Sequence, residues 1–149
     1  MKRIKVFVLN GPNLNLIGKR EPEVYGTGSL NELLRMLKRR AKERGAVVYT
    51  YQSNHEGSII DRIHTLPRRN YKGIIVNPGA LTHYSYALRD ALKAVGLPAV
   101  EVHLSDIEKR EDFRKVSVIR DVCIAQVKGL GQQGYVKALE LLLDHLLPS

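Results

Sequence analysis

The sequence has no tryptophan and a single cysteine, Cys123, among its 149 residues. One cysteine excludes an intrachain disulfide and every metal site built from clustered thiolates, and it is typical of a protein in a reducing cytosol. We interpret Cys123 as a small buried apolar side chain, because free cysteines are usually buried. The absence of tryptophan, and of aromatic pairs near the predicted strand ends, argues against flavin stacking.

Long hydrophobic runs are also missing. No apolar stretch approaches the ~18 residues of a membrane helix, so we expect no contact with a membrane. The start, MKRIKVFVLNG, has basic residues before an apolar run, but the run is too short for a signal peptide and suits a β-strand. The chain, with 44% hydrophobic and 26% charged residues, therefore predicts one globular domain, residues 1–149, which we expect in the cytoplasm.

Acidic side chains are outnumbered, because 15 Asp and Glu stand against 24 Lys and Arg, a formal net charge of +9. The densest basic cluster, residues 35–44, lies on a predicted helix whose apolar stripe faces a core, which leaves the charges in solvent. The stripe consists of Leu30, Leu33, Leu34, Leu37 and Ala41. No aromatic platform accompanies the charges, so we predict no nucleic-acid partner. Steering of an anionic small substrate and weak polyanion binding stay open.

Several motifs of nucleotide, acyl-transfer and zinc chemistry are absent: a P-loop, GxGxxG, GxSxG and the His/Cys spacing of structural zinc. Of the five histidines, His83 and His103 lie best for a site near a strand end. A two-histidine metal site there lacks an obvious third ligand, so we predict no metal.

Strand-like and helix-like segments alternate along the chain. Ser29 and Glu32 form a capping box at the start of the first helix, and Gly45 ends it. The predicted strands are residues 4–9, 47–51, 73–76, 99–102 and 122–127, and the later helices are 58–66, 84–95 and 134–147. This alternation predicts an α/β fold, a doubly wound five-stranded parallel sheet of flavodoxin-like order in a single domain.

Ligands of such sheets bind beyond the carboxyl ends of the strands. The long loop after the first strand, NGPNLNLIGKREPEVYG, contains Arg20 and Tyr25, and a nearby cation favours a phenolate that can act as a base. Tyr25 packing at the end of the loop is the alternative. Later, Glu101 and His103 alternate along a strand, so both side chains lie on one face. A carboxylate beside His103 favours a general acid there, with a structural histidine as the alternative.

Arg110 and Arg114 are four residues apart, so they can share a helical face and bind an anion, or simply lie in solvent.

Several stretches of the chain, these arginines included, resemble one family, the type II 3-dehydroquinate dehydratases of the shikimate pathway. The stretches are NGPNLNLIGKREPEVYG, QSNHEGSIIDRIH, NPGALTHYSYALRDAL, EVHLSDIEKREDFR and GLGQQGY. They occur in order and span nearly the whole chain.

The resemblance implies anti elimination of water from 3-dehydroquinate, through an enolate and without a cofactor. Tyr25 corresponds to the base that takes the C2 proton, and Arg20 and Arg110 support its phenolate. Asn13 corresponds to the residue that holds a water against the enolate oxygen. His103 matches the acid that protonates the departing hydroxyl group.

In the same resemblance, Glu101 orients this acid. The remaining matches are substrate ligands: Asn77, His83 and Arg114 for hydroxyl groups, and Leu104 and Ser105 for the carboxylate. The resemblance also implies a homododecamer, a tetramer of trimers, in which Asp90 reaches the site of an adjacent subunit.

One segment departs from the family pattern, because Val116 stands in place of the usual histidine and Ala125 in place of the usual glycine. The departure bears on the packing and assembly of the fifth strand. Two other classes remain as alternatives to the enzyme: a flavodoxin-like flavin or phosphate-ligand binding protein, and a basic polyanion-binding module.

Overall fold

The computed structural model describes residues 2–18 and 28–148. They contain one parallel sheet, whose strands lie in the order β2-β1-β3-β4-β5. The strands are β1 Ile4–Asn10, β2 Ala46–Gln52, β3 Gly73–Asn77, β4 Ala99–Val102 and β5 Ala125–Val127. This order confirms the predicted doubly wound, flavodoxin-like sheet. The chain adds β2 on one side of β1 and the later strands on the other side, so the strand order reverses between β1 and β3.

Four α-helices cover the two faces of the sheet: α1 Leu30–Glu43, α2 Glu56–Thr65, α3 Tyr86–Val95 and α4 Gln133–Leu146. Alternate side chains of β1 enter opposite cores. Val6 and Val8 pack with α1 and α4, whereas Phe7 and Leu9 pack with α2 and α3. None of the helices in residues 2–18 and 28–148 combines the length and the apolarity of a membrane span.

Helix α1 forms as its sequence predicts. The Ser29 hydroxyl oxygen accepts a hydrogen bond from the Glu32 backbone N–H at 3.1 Å, and Gly45 follows the last turn at φ 73°. Leu33 and Leu37 of its stripe are completely buried. Burying each such side chain contributes roughly 1.5–3 kcal/mol, so the stripe, rather than helix propensity, docks α1.

The sequence predicted that the charged face of α1 lies in solvent, but part of this face forms ion pairs with α4. Arg40 Nε lies 2.5 Å from Glu140 Oε1, and Arg44 bridges Glu140 and Asp144 of α4, the latter at 3.0 Å. Solvent screens exposed ion pairs of this kind, so each one adds little to the stability of the fold. These ion pairs nevertheless connect α4, the last helix, to α1, the first.

Three boundaries differ from the prediction by two residues or more. Helix α2 begins at Glu56 rather than residue 58, with His55 as an N-cap that makes no side-chain hydrogen bond. Helix α3 begins at Tyr86 because the Ser85 hydroxyl caps it, accepting from the Leu88 N–H at 3.0 Å. Strand β5 is shorter than the predicted 122–127, because residues 120–122 form a 3₁₀ turn and pairing with β4 starts only at residue 125.

Candidate active site

A cleft lies beyond the carboxyl ends of β1, β3 and β4, at the point where the strand order reverses. Its volume is about 150 Å³. A cavity of ~150 Å³ holds benzene in another protein, so this one has room for a single six-membered ring. Eight predicted site residues line it: Asn13, Asn77, His83, His103, Leu104, Ser105, Arg110 and Arg114.

Two glycines allow the backbone segments that form the floor of the cleft to pack closely against each other. A Cβ atom on Gly11 would lie 2.2 Å from the Pro78 carbonyl oxygen, and one on Gly79 would lie 2.8 Å from the Pro12 carbonyl oxygen. Gly79 also has φ +60°, a conformation that side chains disfavour. The NGPN and NPG segments therefore pack backbone to backbone, and the Gly11 N–H donates to the Asn77 carbonyl at 2.8 Å.

Asn13 is held at the rim of the cleft in the left-handed conformation, at φ 70°. Its backbone N–H donates to Asn54 Oδ1 at 3.0 Å, and the Gln52 amide donates to that same oxygen at 3.2 Å. Gln52 is the last residue of β2 and Asn54 follows the strand, and sequence reasoning gave neither of them a role. Their signal was only the polar run QSN at the end of a strand.

His103 and Glu101 form the buried pair that the alternation predicted. His103 Nε2 lies 2.5 Å from Glu101 Oε2, and Glu101 is fully buried while His103 is 6% exposed. A carboxylate only accepts, so Nε2 carries the hydrogen. The ring nitrogen left for proton exchange with a ligand is Nδ1.

Glu101 has two further donors, which sequence reasoning missed. Ser117 Oγ donates to its Oε2 at 2.8 Å, and Gln126 Nε2 donates to the same atom at 3.1 Å. Burial by itself raises the pKa of Glu101, but hydrogen bonds from His103, Ser117 and Gln126 together hold that pKa below its ordinary value. Glu101 is therefore an anion at neutral pH and accepts the hydrogen bond from His103 Nε2.

Gln126→Leu is expected to lower the free energy of unfolding by about 1.5–3 kcal/mol at pH 7, because it removes a hydrogen bond to a buried charge. The lowered pKa of Glu101 stabilises the fold above the unfolded value of about 4.3, and this contribution is lost as pH falls through the folded-state pKa. The difference from wild type should thus shrink in acid. Urea denaturation at pH 7 and pH 3.5 measures it.

Gln133→Leu, on the exposed side of α4, is the matched control, with an expected change within about 0.5 kcal/mol at both pH values. A difference for Gln126→Leu that stays constant between pH 7 and pH 3.5 would mean that Gln126 acts through packing rather than through the Glu101 charge.

The loop after β4 is fixed through its carbonyl groups. The Gly131 N–H donates to the Leu104 carbonyl at 2.9 Å, and the Gly129 N–H donates to the Ser105 carbonyl at 3.0 Å. Both glycines have positive φ. The N–H groups of Leu104 and Ser105 make no hydrogen bond within the described part of the chain, which leaves two donors for an anion at this wall of the cleft.

Arg110 and Arg114 both line the cleft, but they do not share one helical face as predicted. Two separate 3₁₀ turns, Ile107–Lys109 and Asp112–Lys115, interrupt the segment, and Arg110 lies between them in an extended conformation. Arg110 Nη1 donates to the Ser105 hydroxyl at 3.3 Å, and Arg114 pairs with Glu111. No acidic side chain in the described ranges lines the cleft, so it suits an anion.

His83 also lines the cleft, at the end of the 3₁₀ turn Gly79–His83 and next to Phe113, with ring centroids 6.1 Å apart. Its Nδ1–H donates to the Val116 carbonyl at 2.7 Å, which leaves Nε2 as the acceptor. Burial lowers the pKa of His83, so the ring is neutral at pH 7. The departure at Val116 does not affect this contact, because the backbone makes it, and Ala125 pairs normally with Val100 of β4.

Asn77 ends β3 and is 3% exposed, with its side chain bonded to the buried Tyr135 of α4. Asp90 is not among the residues that line the cleft; it lies exposed on α3. Arg20 and Tyr25 lie outside the described residues.

Cys123 is only partly buried, contrary to the expectation of a buried side chain. It packs at the margin of a core, where burial raises the pKa of its thiol to about 12. The described residues contain no cluster of three or more His, Cys, Asp and Glu side chains that could hold a metal.

The chain is similar to known proteins in both sequence and fold. Residues 4–143 match the family model described as Dehydroquinase class II. Relatives named 3-dehydroquinate dehydratase include one from Halothermothrix orenii, 57% identical with 94% of each chain covered, and one from Thermotoga neapolitana, 53% identical with 92% covered. The crystal structure of type II dehydroquinase from Butyrivibrio crossotus superposes with a TM-score of 0.93 at 45% identity, covering 95% of this chain and 99% of that one.

Proposed function

Because the chain belongs to the class II dehydroquinase family, a family of hydro-lyases, we propose that it converts 3-dehydroquinate into 3-dehydroshikimate by removing water. The observation that carries the proposal is the His103–Glu101 pair in a cationic cleft with room for one ring. A hydroxylated cyclic carboxylate is complementary to that lining.

In the proposed reaction, the Tyr25 phenolate takes the C2 proton, with Arg20 and Arg110 favouring the ionised phenol. The electron pair of the broken C–H bond moves to the C3 carbonyl oxygen, which becomes an enolate. Asn13 holds a water that donates to this oxygen. Support for the role of Asn13 comes from its position at the cleft, where Asn54 fixes its backbone.

The second half of the reaction breaks the C1–O bond. The enolate pair re-forms the carbonyl, the C1–C2 double bond forms, and the hydroxyl group leaves as water with a proton from His103. Glu101 keeps the imidazolium oriented through Nε2, so Nδ1 delivers the proton. Tyr25 then returns its proton to solvent and His103 regains one, which restores the enzyme. The ketone is the electron sink, so the reaction as proposed uses no cofactor.

In the proposed complex, two groups of residues bind different parts of the substrate. The carboxylate accepts from the Leu104 and Ser105 backbone N–H groups and from the Ser105 hydroxyl. The hydroxyl groups of the substrate contact Asn77, His83 and Arg114. The neutral His83 ring supports this assignment, because its Nε2 can accept from a hydroxyl group.

The proposal is tested by mixing the protein with 3-dehydroquinate and following the ultraviolet absorbance of the conjugated enone product. Wild-type protein should give a signal that rises in proportion to enzyme concentration. Ser105→Ala keeps the fold but removes one carboxylate contact, so it should raise KM more than it changes kcat. No absorbance change at high wild-type concentration would rule out the proposed function.

We also propose that residues 1–149 form a single catalytic domain that works in the cytoplasm as a homododecamer, a tetramer of trimers. Asp90 would then complete the site of a neighbouring subunit. Its exposure on α3, outside the cleft of its own chain, is consistent with this role. The nearby Tyr84 and Tyr86 are 60% and 68% exposed, which suits a surface that another copy covers.

Sedimentation should therefore show wild-type protein as a dodecamer at assay concentrations. Asp90→Ala should leave this mass unchanged but lower kcat/KM, because the adjacent site loses one contact. Asp61→Ala, an exposed aspartate on α2, is the control and should change neither. An active wild-type monomer would refute the shared site.

A further inference from the structure

The segment GLGQQGY ends in a tyrosine whose hydroxyl group reaches the floor of the cleft. Tyr135 is completely buried on α4, among the side chains that join α4 to the sheet. Its hydroxyl oxygen lies 3.0 Å from Asn77 Nδ2 and 2.5 Å from Asn10 Oδ1. Asn10 and Asn77 are paired in register at the ends of β1 and β3, where the strand order reverses.

The hydrogen bonds that connect Asn77, Tyr135 and Asn10 all run in one direction. A phenol has one hydrogen to give, so Tyr135 donates to the Asn10 amide oxygen and accepts from the Asn77 amide nitrogen. The other end of the Asn77 amide is fixed as well, because its Oδ1 accepts from the Gly79 N–H at 3.2 Å. Both ends of the amide are therefore specified, and the second N–H of Nδ2 is left for the cleft.

Tyr135 is suited to hold an amide in this way. Burial raises its pKa well above the ordinary value, so the phenol stays neutral and keeps its hydrogen. Asn10 is also fully buried, and its Nδ2 has no partner in the described part of the chain. An unpaired buried donor is costly to the fold, so the oxygen of Asn10 is the part of this side chain that the structure uses.

We propose that Tyr135 is a positioning residue for catalysis, whose hydroxyl group sets the orientation of the Asn77 amide so that an N–H faces the substrate. The inference rests on the proposed function, because it requires Asn77 to bind a substrate hydroxyl group. Tyr135 itself lies behind Asn77 and does not line the cleft.

Tyr135→Phe tests the inference, because it keeps the ring in the core and removes only the hydroxyl group. The Asn77 amide then keeps only its contact with the Gly79 N–H and is held less firmly, so KM for 3-dehydroquinate should rise about 2- to 12-fold, the value of one neutral hydrogen bond. The kcat should change less, because a substrate hydroxyl group away from the reacting bond is bound about equally in ground and transition states.

The double variant decides whether Tyr135 acts through Asn77. If it does, Tyr135→Phe with Asn77→Ala should have the KM of Asn77→Ala alone. KM effects that multiply would overturn the inference, as would an unchanged KM in Tyr135→Phe. Leu139→Val, in the same core, is the control for lost stability, and an equal KM rise there would also overturn it. An inactive wild type would instead overturn the proposed function, on which the inference depends.

Discussion

Replacing His103 with alanine is expected to lower the turnover of 3-dehydroquinate by about 10²–10⁴-fold, the usual loss when a general acid is removed. The acid acts only when the C1 hydroxyl group departs. Removal of the C2 proton should survive, because the proposed base is a different side chain, Tyr25. The C2 position should therefore still exchange with deuterated water, which mass spectrometry or proton NMR of the substrate can follow.

His145→Ala, an exposed histidine near the end of α4, is the matched control and should keep wild-type rates for both steps. Glu101→Gln completes the series. It leaves a neutral partner where three donors now meet an anion, so it should slow departure of the hydroxyl group and spare exchange. If His103→Ala loses exchange and dehydration equally, the assigned role is wrong.

Tyr25→Phe is expected to lower turnover by several orders of magnitude while substrate binding survives, because the ring remains and only the proton acceptor is lost. No tyrosine among the described residues lines the cleft. Tyr135 lies just behind it, but its raised pKa makes it a poor source of phenolate. These two observations support a base on the loop of residues 19–27.

Arg20→Ala should act differently from Tyr25→Phe, because it leaves the phenol and removes a cation that favours its ionised form. The acidic limb of kcat/KM against pH should move to higher pH, toward the free tyrosine pKa of about 10. Arg20→Lys should restore only part of the activity, since an ammonium group lacks the planar fork of the guanidinium. Near-normal turnover in Tyr25→Phe, or a slow Arg20→Ala with an unmoved acidic limb, would exclude the phenolate mechanism.

The order of elements was predictable because local signals agreed with the tertiary structure. The stripe of α1, its Ser29 cap and the buried runs of β1 and β3 each specify their element within a few residues of sequence. Two boundaries failed where local signals were weak. His55 is the N-cap of α2 but makes no side-chain hydrogen bond, and residue 58, where the helix was predicted to begin, lies inside it. The start of β5 depends on its partner strand, which periodicity does not report.

The candidate site likewise contains contacts that local sequence predicted and contacts that it did not. The Glu101–His103 pair follows from alternation within one strand, so two-residue spacing was enough to predict it. Ser117 and Gln126 meet Glu101 from 16 and 25 residues away, and no local pattern reveals such contacts. The spacing of Arg110 and Arg114 misled for the opposite reason, because a four-residue interval predicts a shared face only where the chain is an α-helix.

The bond between Tyr135 and Asn10 spans 125 residues, from the first strand to the last helix. During synthesis Asn10 and Asn77 leave the ribosome long before Tyr135. The floor of the cleft is therefore made before the Tyr135 hydroxyl group, which bonds both asparagines, is present. Contacts so distant in sequence form late, since closing a long loop must precede them. We therefore expect the last helix to complete the proposed site, so that recovery of full substrate affinity after refolding lags behind recovery of the sheet.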